Sequence, residues 1–150
     1  MHGTLEATGQ PTARQLHMLG DLRLRCGGYM SYRTEFITFT VKRGMEAEAE
    51  AWMRILTERQ AECVQTLERE RMHCECIFKS VQNGRMCLSW LTMHGLTGER
   101  LRTSPHPIDK LHIEYWDKCI DVEVPVERLK HVATFLPESI RQALEARDVP

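Results

Sequence analysis

Residues 73–95, HCECIFKSVQNGRMCLSWLTMHG, decide the fold because they predict a β-hairpin in the middle of the chain. Two strand-like runs flank the pair Asn83-Gly84. An Asn-Gly pair between alternating apolar residues is the strongest short-range signal for a two-residue hairpin turn. We therefore expect two adjacent antiparallel strands here.

The segment before the hairpin predicts a strand and then a long helix. In EFITFTVKRG, residues 35–44, the side chains of Ile37, Phe39 and Val41 share one face. The other face carries Phe36, Thr38 and Thr40. The next segment, MEAEAEAWMRILTERQAECVQTLERERM, is rich in Ala, Glu, Leu and Arg, and its apolar residues recur at helical spacing. It predicts one long helix with a single buried stripe.

The segment after the hairpin predicts a helix, a strand and a closing helix. These are HPIDKLHIEYWDKCI (106–120), KHVATFLP (130–137) and PESIRQALEAR (137–147). The element order is then β-α-β-β-α-β plus a terminal helix, which is the ferredoxin-like α+β arrangement with an antiparallel sheet. We assign residues 34–150 to this domain and interpret residues 1–33 as a weakly structured N-terminal extension.

Both faces of the predicted sheet are apolar. On the third strand Met86, Leu88 and Trp90 alternate with Leu91 and Met93. Helices cover only one face of such a sheet, and a solvated second face should be polar. Because a large exposed apolar face usually marks an interface, we expect a homodimer whose two sheets face each other. The two sheets would form a dimeric α+β barrel with a cavity.

Glu75 is a candidate acid or base in that cavity. We predict that Cys74, Cys76 and Phe78 lie under the helices, so that Glu75 points the other way, towards the cavity. A partly desolvated carboxylate has a raised pKa and suits proton transfer. The alternative is a glutamate that pairs with an arginine or reaches water.

The helix at 106–120 carries a second candidate group. Pro107 suits the first turn of a helix, and Asp109 follows in that turn, so helix capping alone would explain this carboxylate. His112 lies one turn later on the apolar face, where Asp109 would fix its tautomer and raise its basicity. The alternative is a satisfied core histidine. His106 would line the pocket entrance or cap the helix.

The composition argues against several classes of protein. A formal net charge of −1 does not suit a general nucleic-acid binder. No apolar run approaches the roughly 20 residues of a membrane span, and the first ten residues, MHGTLEATGQ, lack the pattern of a secretory signal. We therefore expect no membrane partner and a cytoplasmic location.

The usual motifs for metals and cofactors are missing. The six cysteines contain no C-x-x-C spacing, and metal ligands would have to converge through tertiary structure alone, so we expect no metal site. The chain has no G-x-G-x-x-G, P-loop or G-x-S-x-G motif. We expect no cofactor.

Four segments, VKRG, AEAWMRILTERQAECVQTLERERM, CIFK and HPIDKLHIEYWDKCID, resemble a bacterial family of unknown function. The resemblance covers roughly residues 35–145. That family is assigned to the dimeric α+β barrel superfamily, so the resemblance implies the fold, dimerisation and a pocket position. In the wider superfamily, the cavity between sheet and helices hosts cofactor-free monooxygenation, isomerisation, cyclisation and haem binding. Fold analogy alone does not choose among these.

The sequence thus predicts a small cofactor-independent enzyme that acts on a hydrophobic or aromatic metabolite. Glu75 and His112 would transfer protons, and Asp109 would orient His112. The predicted substrate-binding residues are Phe36, Thr38, Trp90, His106, Tyr115 and Trp116. The alternatives are a non-catalytic module that binds a small molecule or haem, and a purely structural dimerisation domain.

Overall fold

The computed structural model describes residues 32–95 and 101–147. They form an α+β fold with a four-stranded antiparallel sheet and four α-helices. The strands are β1 (Tyr32–Thr40), β2 (Met72–Gln82), β3 (Arg85–Gly95) and β4 (Glu127–Leu129). The helices are α1 (Glu46–Glu58), α2 (Gln60–Arg69), α3 (Pro107–Cys119) and α4 (Glu138–Arg147). The predicted extension lies outside the described residues, except that Tyr32 and Arg33 belong to β1.

The predicted hairpin is confirmed. Asn83 and Gly84 have φ angles of 52° and 69°, the two left-handed residues that a tight turn of the I′ type requires. The turn joins β2 to β3, which pairs with β2 over Arg85–His94 and with β1 over Cys87–Gly95. The sheet order is β2-β3-β1-β4, so β3 is inserted between the two strands that the first helical crossover connects.

The first helical crossover contains two helices rather than the single long helix that the sequence predicts. Helix α1 ends at Glu58 and α2 begins at Gln60. Just before this break, the hydroxyl of Thr57 donates a hydrogen bond to the carbonyl of Met53 at 2.9 Å. Such back-bonding bends helices. The element order therefore departs from a strict β-α-β-β-α-β pattern.

The prediction for the fourth strand was wrong. β4 comprises only Glu127–Leu129, and residues 130–137 form no strand. Leu129 is the last residue of β4 and pairs with Phe36 of β1. Beyond it the chain leaves the sheet, and Val132 and Phe135 are 88% and 91% exposed. Residues 130–137 therefore have the composition of a strand but pair with no neighbouring strand.

The core lies between the sheet and helices α1 and α3. Ile37 and Phe39 of β1 are buried there together with Val41, which follows the strand, as their spacing predicts. They pack with Trp52 of α1 and Cys119 of α3, both fully buried. The opposite face of β1 carries Phe36 and the two threonines.

The predicted faces of β2 were inverted. Ile77 pairs directly with Trp90 of β3 and packs against the core, so the odd-numbered residues of β2 lie on the helix side. Lys79 confirms this orientation, because its ammonium binds Glu50 of α1 at 2.8 Å. Glu75 therefore lies between sheet and helices. The opposite side carries Cys74, Cys76 and Phe78.

Candidate active site

A tryptophan enclosure surrounds His112. The chain has three tryptophans, and all three contact this imidazole. The ring centroid of His112 lies 5.0 Å from that of Trp52 and 6.4 Å from those of Trp90 and Trp116. Each indole comes from a different element, α1, β3 or α3, so the enclosure exists only in the folded chain. We call these four residues the tryptophan enclosure.

The imidazole of His112 is neutral near physiological pH because it is buried in the tryptophan enclosure. Burial lowers the pKa of its imidazole to about 4, although the negative charge of Asp109 raises it. Asp109 raises the pKa of His112, as the sequence predicts, but desolvation of the charged form has the larger effect and the net pKa is lowered. A neutral imidazole has one donor and one acceptor nitrogen. His112 can therefore donate a hydrogen bond without carrying a charge.

Asp109 lies in the first turn of α3 and is 4% exposed. The helix begins at Pro107, as predicted, but no side chain caps it. Within the described residues, Asp109 Oδ2 is a buried oxygen without a hydrogen-bond partner. The charge of this carboxylate acts on three other groups of the site, His112, Glu75 and Glu70.

Glu75 projects from β2 on the helix side, towards Trp90 and Asp109. Its side chain retains accessible surface, yet its carboxyl lies deep among protein atoms. Desolvation in that position and the charge of Asp109 raise its pKa to about 7, although a hydrogen bond from the Trp90 side chain lowers it. At neutral pH this carboxyl is close to half protonated.

Glu70 is a further site residue that sequence analysis did not identify. It is the C-cap residue of α2, where a carboxylate opposes the helix dipole. That unfavourable placement was the only signal in the sequence. Burial and the charges of Asp109 and Glu75 raise the pKa of Glu70 to about 8, against a smaller opposing effect of Arg69. Three carboxyl groups thus share one region.

The structure brings together some of the predicted substrate-binding residues. Trp90 and Trp116 belong to the tryptophan enclosure, and Tyr115 stacks on Trp52 with the ring planes 12° apart. His106 occupies the N-cap position of α3, and its side chain makes no capping hydrogen bond. Trp52 lies in the apolar stripe that the sequence predicts for its helix, and nothing in the sequence around it indicates a contact with His112.

Phe36 and Thr38 do not join this site. They lie on the opposite face of the sheet. There the ring centroids of Phe36 and Phe78 are 6.2 Å apart, and the hydroxyls of Thr38 and Ser89 form a hydrogen bond of 2.7 Å. The predicted arrangement, with these residues and Glu75 around one cavity, was therefore wrong. Its error follows from the inverted faces of β2.

Residues 32–142 match the model of a family of unknown function, DUF6176. The chain belongs to that family. No curated protein matches it. Among residues 32–95 and 101–147, none of the helices has the length and apolar character needed to cross a bilayer.

Proposed function

We propose that this DUF6176 member is a cofactor-independent enzyme that moves a proton on an apolar or aromatic small molecule. The observation that carries the proposal is Glu75, a solvent-accessible carboxyl with a pKa raised to about 7, which shares Asp109 and Trp90 as neighbours with the neutral, indole-enclosed His112. Perturbed titratable groups are candidates for catalysis on physical grounds.

Glu75 is the proposed acid and base. A group transfers protons best when its pKa is near the working pH, because both of its forms are then available. At pH 7 the ionised form of Glu75 removes a proton from carbon next to a carbonyl. The protonated form then returns that proton to another atom of the same molecule. The sum is an isomerisation or a cyclisation step that consumes no co-reactant.

His112 and Asp109 support this transfer. The electron pair left by the departing proton moves onto the carbonyl oxygen, and the neutral imidazole of His112 donates a hydrogen bond to that oxyanion. Asp109 holds the pKa of Glu75 up by charge repulsion. It thereby keeps Glu75 a strong enough base at neutral pH. Asp109 is a positioning residue in this scheme, because it acts through the other two.

The enclosure selects the substrate class. The indoles of Trp52, Trp90 and Trp116 pack in the core around His112 and present apolar surface with few hydrogen-bonding atoms. Pockets of this composition bind apolar or aromatic ligands, and a few polar groups fix the orientation. A compact aromatic or cyclic ketone fits both the walls and the chemistry of Glu75.

The domain is also proposed to belong to the dimeric α+β barrel superfamily, with a second copy on the sheet face opposite the helices. Phe78 and Leu129 on this face are 50% and 55% exposed, and the sheet order inserts β3 between β1 and β2 as in a split β-α-β unit. A Phe78→Asp variant should then be monomeric in light scattering at concentrations where the parent chain is a dimer. A monomeric parent chain contradicts this assembly.

The chemical proposal is tested by exchange of substrate protons with solvent. A panel of aromatic and cyclic ketones is incubated with the protein in D2O, and NMR follows the loss of signal at carbon next to the carbonyl. The wild type should speed exchange of at least one compound, and Glu75→Gln should abolish it. His112→Ala should reduce the rate by about 100-fold, the range for loss of one oxyanion donor.

Glu50→Gln is the matched control. Glu50 is an exposed glutamate of α1 whose carboxylate pairs with Lys79. The Glu50→Gln variant should therefore exchange at the wild-type rate. The proposal fails if Glu75→Gln remains as active as Glu50→Gln. Tight binding of a panel compound without any exchange would instead identify a non-catalytic binding module. Haem uptake that depends on His112 would point to the haem-binding alternative.

A further inference from the structure

A pair of cysteines lies on the sheet face opposite the proposed active site. Cys74 and Cys76 are two residues apart on β2, so both side chains point away from the helices. Their Sγ atoms are 3.7 Å apart. β2 is an edge strand of the sheet, which leaves the pair at the margin of this face. Cys74 is exposed, and neither cysteine forms a disulfide.

A third sulfur lies across the strand. Met93 of β3 is the direct register partner of Cys74, so their side chains share a face. Both line a cavity of about 400 Å³ whose walls include Phe36, Leu91 and Leu129. Two thiols and the side chain that carries the thioether therefore lie on one face of the sheet, beside apolar walls. Sulfur donors of this kind select soft metal ions.

We propose that Cys74, Cys76 and Met93 form a binding site for Cu(I). The site is separate from the tryptophan enclosure and does not depend on the function proposed for it. Zinc sites use four ligands of the cysteine, histidine and carboxylate type. Among the residues that the structure describes, no group of three or more such side chains converges. Cu(I) accepts fewer ligands and tolerates a thioether, which the sulfur triad supplies.

Binding releases protons. Each cysteine binds a metal as thiolate, so Cu(I) displaces one proton from Cys74 and one from Cys76, and both go to solvent. No electron is transferred. The affinity should therefore fall as the pH is lowered.

The test is an anaerobic titration of the reduced full-length chain with Cu(I) against a chromophoric Cu(I) chelator. The wild type should withdraw one Cu(I) per chain from the chelator, and Cys74→Ser and Cys76→Ser should each lose this binding. Met93→Leu keeps the side-chain volume and should weaken binding about tenfold, which equals about 1.4 kcal/mol. X-ray absorption of the loaded wild type should report sulfur ligands alone.

Cys63→Ser is the matched cysteine control, because Cys63 lies on α2 on the other side of the sheet. It should bind Cu(I) as the wild type does. Circular dichroism verifies that every variant is folded. The proposal is overturned if Cys74→Ser and Cys76→Ser retain the wild-type affinity, or if Cys63→Ser loses it. Nitrogen ligands in the absorption spectrum would likewise overturn the sulfur triad.

Discussion

The same strands build both faces of the sheet, but the two faces differ in the ionisable groups that they carry and in how far these groups are desolvated. On the helix side, desolvation raises the pKa of Glu75 to about 7 and lowers that of His112 to about 4. On the opposite side, the central contact is a neutral hydrogen bond between Thr38 and Ser89. Phe78 at the strand edge remains half exposed.

This difference shows how one strand can serve two purposes. Successive side chains point to opposite faces, so the run from Cys74 to Phe78 supplies Glu75 and Ile77 to the helix side and sulfur and aromatic groups to the other. The helix layer excludes water and tunes proton affinities. The opposite layer leaves Cys74 and Phe78 within reach of ions or a partner.

The largest expected effect contrasts aromatic residues from the two faces. Trp52 is fully buried against three other aromatic rings, so Trp52→Ala should lower the free energy of unfolding by about 3–5 kcal/mol. Phe78→Ala should cost under about 1.5 kcal/mol, because half of that side chain is already in water. Urea unfolding measures both. Equal losses would mean that the core does not lie on the helix side.

The next effect concerns acid. The pKa of His112 is about 4 in the folded chain and 6.5 when exposed. The unfolded chain therefore binds the extra proton first as the pH falls from 6.5 to 4. The wild type should lose about 3 kcal/mol of stability over this range because of this one group.

His112→Gln should remove that loss, so its free energy of unfolding should depend less on pH between 6.5 and 4. His131→Gln, which changes an exposed histidine, is the control and should follow the wild type. Parallel curves for all three proteins would show that His112 is not desolvated.

A smaller effect tests the opposite face. Thr38→Val leaves the buried hydroxyl of Ser89 without its partner and should cost about 1–3 kcal/mol. Adding Ser89→Ala removes both polar groups and should recover most of this loss. Urea unfolding of Thr38→Val, Ser89→Ala and the double variant completes a double-mutant cycle. Additive losses would contradict a direct bond between the hydroxyls.

Much of the fold followed from local patterns. Asn83-Gly84 predicted the hairpin, and the alternation of Ile37 and Phe39 predicted the buried face of β1. The faces of β2 were not predictable in the same way, because Cys76 and Ile77 are both apolar and neighbouring residues of this type fit either face. The pairing of Ile77 with Trp90 decides the orientation, and that pairing is a property of the sheet.

The site was predicted only in part for the same reason. Glu75, Asp109 and His112 were each proposed as site residues from the sequence, but Glu75 was assigned to the wrong face of β2. Glu70 and Trp52 were missed because neither stands out locally. Only the tertiary fold places Glu70 beside Asp109 and Trp52 beside His112.

The central claim is that Glu75 titrates near neutral pH, and an NMR titration of its side-chain carboxyl carbon tests it most directly. Comparison of wild type with Glu75→Gln assigns the signal, and Asp109→Asn should lower the pKa while burial keeps it above the ordinary 4.5. The account predicts a wild-type midpoint at about pH 7. A midpoint at 4.5 would contradict it, because Glu75 would then be fully ionised and no better a base than any surface glutamate.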